Sequence, residues 1–186
     1  NMPDFTNYEF SPDGNFTLGP QNERLKFGAV GHSNWAGLAQ RDNFNRDSYA
    51  LIQHQDGRTI LNSKGGKDLF IRQGNSDRIK IDSAGKVLIG SGNEILKVGN
   101  VGHNSWPGLA QKDNFNRDSY ALIQHKDGRT ILNSKGGKDL HIRQGNSDRI
   151  KIDSSGQVHV TNKLTGKNGM DIQGGRSYFK DSENRG

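Results

Sequence analysis

The chain has 186 residues; 25 are Gly, 19 are Asn, none is Cys, and only 30% are hydrophobic. Leu, Ile, Val and Phe number 40 of 186 and the longest apolar run is four residues, which excludes a thick core and a transmembrane helix. The absence of Cys excludes disulfides, thiolate zinc sites and cysteine nucleophiles. A net charge of +6, spread along the chain, favours acidic partners such as sulfated or phosphorylated glycans, lipopolysaccharide or nucleic acid, and selects none of them.

Asn1 precedes Met2 and no basic-then-apolar targeting segment is visible, so the chain reads as a processed product or an ordered fragment of something longer. Residues 1–21 form a leader or connector whose Phe5, Tyr8, Phe10 and Phe16 suit packing on a neighbour. Asn15-Phe16-Thr17 is a glycosylation triplet of the kind an Asn-rich chain produces by chance. Residues 22–92 and 93–160 are two copies of one repeat at an offset of 71. From Gly31 to Ile89 against Gly102 to Val160, 49 of 59 positions are identical. Residues 161–186 begin a different segment.

Within each repeat the strand candidates are short. In chain order they are SYALIQH, RTILNS, DLFIRQ, DRIKID, KVLIG and EILKVG, with alternation visible in Leu69/Ile71, Ile79/Ile81 and Val87/Ile89. Turn compositions separate them at Gln55-Asp56-Gly57, Lys64-Gly65-Gly66-Lys67, Gly74-Asn75-Ser76, Asp82-Ser83-Ala84-Gly85 and Gly90-Ser91-Gly92. No window has helical periodicity. The expectation is an all-β chain, built of tandem repeats of short-strand β-meanders.

Two or three inward apolar residues per strand cannot stabilise a lone repeat. Burial at roughly 25 cal/mol per Å² nearly cancels against roughly 1–2 kcal/mol of backbone entropy per residue. Stacking of repeats and association of parallel chains would supply the missing burial and cover strand edges. An elongated, intertwined homotrimer is therefore expected, with Ile71, Ile79, Ile81 and Val87, and their counterparts Ile142, Ile150, Ile152 and Val158, between chains.

The segment DRIKIDSAGKVLIGSGNEILKVGN, Asp77–Asn100, resembles a unit common in bacteriophage tail fibres and related trimeric adhesins, and Asp148–Val160 repeats its first half. The preceding GHSNWAGLAQ, DSYALIQ, GRTILNS and KDLFIR also resemble segments of tail-fibre-like proteins. The resemblance implies a homotrimer of interlocked β-structure on a virion, tail-like particle or other extracellular surface, contributing to host attachment by recognising a cell-surface receptor. No segment resembles the C-terminal intramolecular chaperone of many fibres or a receptor-binding tip.

The local site candidates are the two tryptophan loops. An indole can stack on the apolar face of a sugar while polar neighbours fix its hydroxyls. The residues in such a pattern are His32, Trp35, Gln40, Asp42, Asn43, Asn45 and Arg46, and again His103, Trp106, Gln111, Asp113, Asn114, Asn116 and Arg117. The competing expectation is that each Trp packs under its loop and that RDNFNRDSYA is a turn with Asx caps and inward Phe44 and Tyr49. His141 replaces Phe70 and His159 replaces Leu88, which suggests tolerance of polarity rather than a metal site; KGGKDLFI reads as a Gly-Gly turn rather than a calcium nonapeptide.

No catalytic constellation is present, so an enzyme, a cofactor and a resident metal are not expected. Nucleic-acid binding lacks a basic stripe with interleaved aromatics. The sequence thus points to a structural and adhesive fibre segment; the alternatives are a tandem-repeat lectin with glycan sites at the Trp loops, and an extracellular self-assembling filament or matrix component.

Overall fold

The computed structural model describes residues 7–167 and 169, and these are all β apart from short 3-10 turns. The first sheet contains β1 (Tyr8–Phe10), β2 (Phe16–Leu18), β3 (Leu25–Ala29), β4 (Trp35–Gln40), β5 (Leu51–His54) and β6 (Thr59–Leu61). The second contains β7 (Leu69–Gln73), β8 (Ser76–Ile81), β9 (Val87–Ile89), β10 (Leu96–Asn100), β11 (Pro107–Gln111), β12 (Leu122–Gln124) and β13 (Thr130–Leu132). The third contains β14 (Leu140–Gln144), β15 (Ser147–Ile152) and β16 (Val158–Val160). Strand order follows chain order in each sheet and neighbours are antiparallel. The described residues fall into two compact units divided after Lys135, the first holding two sheets and the second holding the third.

Sheet boundaries fall inside the sequence repeats, at the Lys64–Lys67 and Lys135–Lys138 turns. The second sheet joins the last three strands of repeat one to the first four of repeat two. The leader fits this permuted pattern. Tyr8↔Leu18 and Phe10↔Phe16 occupy the same register, 71 residues earlier, as Ile79↔Ile89 and Ile81↔Val87. Its turn closes with Ser11 N–H donating to Asn15 O, as Asp82 N–H does to Lys86 O. Residues 7–21 are therefore a diverged copy of the β8–β9 hairpin. The Asn15 side chain is buried there, its Oδ1 accepting the Ala29 N–H at 2.8 Å, so the glycosylation triplet is part of the fold.

The tight β7–β8 and β14–β15 hairpins turn on Gly74-Asn75 and Gly145-Asn146, all four at φ between 54° and 61°. Positive φ at both central residues is the two-residue turn that matches strand twist, and Gly-Asn tolerates it.

Directly opposed residues point to the same side of a sheet, so the registers define two faces. One carries unbroken apolar rows: Phe10–Phe16–Phe27–Leu38–Leu51–Leu61 in the first sheet and Leu69–Ile81–Val87–Val98–Leu109–Leu122–Leu132 in the second. The third sheet repeats it with Leu140–Ile152–Val158 and Ile142–Ile150–Val160. The other face is covered locally in the first two sheets. There the loop after β4 or β11 folds back and buries Val30, Ala39 and Ile52, or Val101, Ala110, Phe115 and Ile123. Trp106 and Tyr120 pack on the latter cluster. Lys86 and Lys97 hold their ammonium groups 5.7 and 5.6 Å from the Phe115 ring centroid, whereas Phe44 has Lys26 at 5.3 Å, with Asn15 in the place of Lys86.

Gly108 lets β11 approach this cluster. A Cβ there would stand 2.5 Å from Ile123 Cγ2 and 2.5 Å from the Leu122 carbonyl oxygen, which belongs to the neighbouring backbone. Gly108→Ala is expected to lower stability by about 1–3 kcal/mol, read as a reduced urea midpoint with an unchanged slope.

Candidate functional site

Trp35 opens β4 and lies opposite His54 at the end of β5. The two ring centroids are 4.9 Å apart, and the Arg58 guanidinium stands 5.5 Å from the indole centroid. The β5–β6 turn locks this group. Asp56 lies 2.9 Å from His54 Nδ1 and accepts from Arg58 Nε at 2.9 Å. The Arg58 backbone N–H, then His54 and the Arg58 side chain, hold the Asp56 carboxyl down at about 2. Around the indole is an open cleft of about 670 Å³ whose polar lining includes His32, Asn34, Gln53, His54 and Gln55. Gln53 donates to Thr59 Oγ1, while the side-chain amides of Asn34 and Gln55 make no hydrogen bond among the described residues.

The same group recurs 71 residues on. Trp106 and His125 centroids are 4.7 Å apart, Arg129 stands 5.5 Å from the indole, and His125 Nδ1 is 2.8 Å from Asp127. Asp127 is likewise held at about 2, first by the Arg129 side chain and then by His125.

Of the residues expected at the site, His32 and Trp35 line the cleft and the others build the loop. Gln40 is at the far end of β4, about 17 Å along the strand by its residue rise. Its Oε1 caps the Asp42 N–H at 2.8 Å and its Nε2 donates to Asn22 O. Asn45 Oδ1 accepts from Asp47 N–H in an Asx turn, and Asn43 Oδ1 accepts from buried Ser48. His32 Nε2 lies 2.8 Å from the Arg46 carbonyl oxygen, tying loop to strand entry. Gln111, Asp113, Asn114, Asn116, His103 and Arg117 repeat these bonds. The RDNFNRDSYA segment is thus a capped turn, with Ser48 buried and Phe44 and Tyr49 half-buried. Asn34, Gln53, His54, Gln55 and Arg58 were not singled out in the sequence. The Trp35↔His54 register that gathers them depends on β4, whose Ala-Gly-Leu-Ala interior carries no strand signal.

Acid titration of the two turns has a defined sign. A carboxyl lowered from about 3.9 in the unfolded chain stabilises the fold above that value, and the contribution disappears as pH falls through about 2. The thermal midpoint is expected to drop between pH 4 and pH 2, and by less in an Asp56→Asn/Asp127→Asn variant.

Among the described residues no group of three or more His, Asp or Glu could hold a metal ion, and no helix is long and apolar enough to cross a membrane. Comparison with protein-family models, curated proteins and solved structures finds no match to this chain. What the fold and site define is an all-β protein of three antiparallel sheets with an aromatic cleft at a strand end.

Proposed function

We propose that this chain is a structural and adhesive fibre segment, assembled from identical chains through its apolar sheet faces and contributing to attachment at a cell-surface glycan through its tryptophan loops. The observation that carries the reading is the placement of exposed apolar side chains. Among the described residues, 14 of the 18 large hydrophobics left exposed lie on the apolar-row face of their own sheet. Five are on the first sheet (Tyr8, Phe10, Leu18, Leu25, Leu61), five on the second (Ile71, Ile81, Ile89, Leu96, Leu132) and four on the third (Ile142, Ile152, Val158, Val160).

A second copy is the occupant that fits. The rows recur at a fixed offset of 71 residues, and a partner with the same period is the chain itself. Three parallel chains would close the faces on one another and leave the Trp loops outward, where repeated weak contacts add by avidity. A tandem lectin is the second reading, favoured by the duplicated Trp-His-Arg group alone.

Adjacent residues of β13 test the reading, because Leu132 is on the apolar face and Ile131 on the other. The chain has no native Cys. In the assembled protein the thiol of Leu132→Cys should resist alkylation and that of Ile131→Cys should react freely. Equal, fast reaction at both would overturn the proposal.

A further inference from the structure

The residues of the Trp35 cleft have equivalents 71 positions on, around Trp106, where some are kept and others are replaced. Trp35, His32, Gln53, His54 and Gly57 recur as Trp106, His103, Gln124, His125 and Gly128. Gly28 likewise recurs as Gly99, and the other four lining positions change: Ala29 to Asn100, Asn34 to Ser105, Ala36 to Pro107 and Gln55 to Lys126. Within residues 31–89, three of the eight lining positions differ from their equivalents, against seven of the other 51. Divergence is therefore concentrated where a ligand would be contacted.

The changes have opposite chemical consequences at the two sites. In the first cleft Asp56 and Arg58 neutralise one another, and the remaining polar groups are amides and imidazoles. That lining suits hydroxyls around an apolar ring face and offers no unpaired charge. In the second, Asp127 and Arg129 again pair, but Lys126 stands in the position of Gln55. Its backbone N–H donates to Ser105 O as that of Gln55 donates to Asn34 O, so the backbone placement is conserved. Its ammonium has no ion-pair partner among the described residues. Pro107 also shortens the ladder: β4 pairs with β5 as far as Trp35↔His54, whereas β11 pairs with β12 only through Gly108↔Ile123. Proline lacks the N–H that a longer ladder would use.

We infer that the two tryptophan sites have different specificities, the Trp35 cleft for an uncharged saccharide and the Trp106 site for a saccharide bearing an anionic group, with Lys126 as the determinant. This rests on the glycan-binding reading above. A carboxylate and a sulfate present the same charge to an ammonium, and separate probes distinguish them.

The test uses the two tryptophans as reporters. Trp35→Phe leaves the Trp106 indole alone in the full chain, and Trp106→Phe leaves Trp35. Each variant is titrated by fluorescence with a panel of neutral, uronate-containing and sulfated oligosaccharides. The Trp106 signal should respond to an anionic class, weaken with added salt, and lose about tenfold in affinity on Lys126→Gln, the size of one charge-assisted contact. The Trp35 signal should respond to neutral members, and Gln55→Lys should add the anionic response. Identical panels at both indoles, or no effect of Lys126→Gln, would overturn the specificity inference while leaving glycan binding in place. Silence of both indoles across the whole panel would overturn glycan binding itself, and this inference with it.

Discussion

A carboxylate placed at two equivalent points of the apolar face, Ile81→Glu with Ile152→Glu, is expected to convert the assembly into folded single chains. Ile81 and Ile152 are 41% and 38% exposed in one chain, so in the monomer the new side chains reach water. The cost there is limited to strand preference, within about 1 kcal/mol per site. Between chains the balance reverses. Ile81 is central to the Leu69–Ile81–Val87–Val98 row, and a closed assembly would bring several carboxylates together without partners. Each uncompensated buried charge costs several kcal/mol, more than the roughly 1–2 kcal/mol that further burial of a half-exposed Ile returns. The check is particle mass together with the β signal in far-ultraviolet circular dichroism. An unchanged mass would show that this face is not the interface.

Phe115→Ala is expected to be the most damaging single change within a chain, about 3–5 kcal/mol for loss of a large core aromatic. Phe115 is the one buried aromatic among the described residues, packed with Val101, Ala110 and Ile123 and flanked by Lys86 and Lys97. Phe44→Ala should cost less, because Phe44 is half-buried and Asn15 stands where the second lysine would be. Denaturant unfolding of the two variants, compared at equal protein concentration, separates them. Equal losses would mean that the flanking lysines add nothing to the packing of this ring.

The architecture was legible in the sequence where chemistry is local. Gly74-Asn75 and Asp82–Gly85 announce their turns, and the alternation of Ile79/Ile81 and Val87/Ile89 announces both the strands and the face they share. Less legible were β4 and β11, which rest on Gly, Ala and a single Leu chosen for close approach rather than strand preference. The leader hairpin was hidden because aromatics replace aliphatics at three of the four equivalent apolar positions, Tyr8, Phe10 and Phe16. At the site, Trp35 and His32 could be found from composition, since a lone indole stands out in a polar chain. His54, Gln55 and Arg58 could not, because only the cross-strand register brings them to the indole. The many Asn and Asp of the following loop resemble recognition groups, yet Gln40, Asn43 and Asn45 are engaged in holding the backbone of their own turn.

The central claim is that the apolar faces are closed by copies of this chain. Light scattering on a sizing column, over a range of concentrations, tests it most directly. The account predicts a particle of three times the 20.5 kDa chain mass whose size stays fixed on dilution. A particle of 20.5 kDa at every concentration would contradict it, and would leave the tryptophan loops as the sites of a single-chain binding protein.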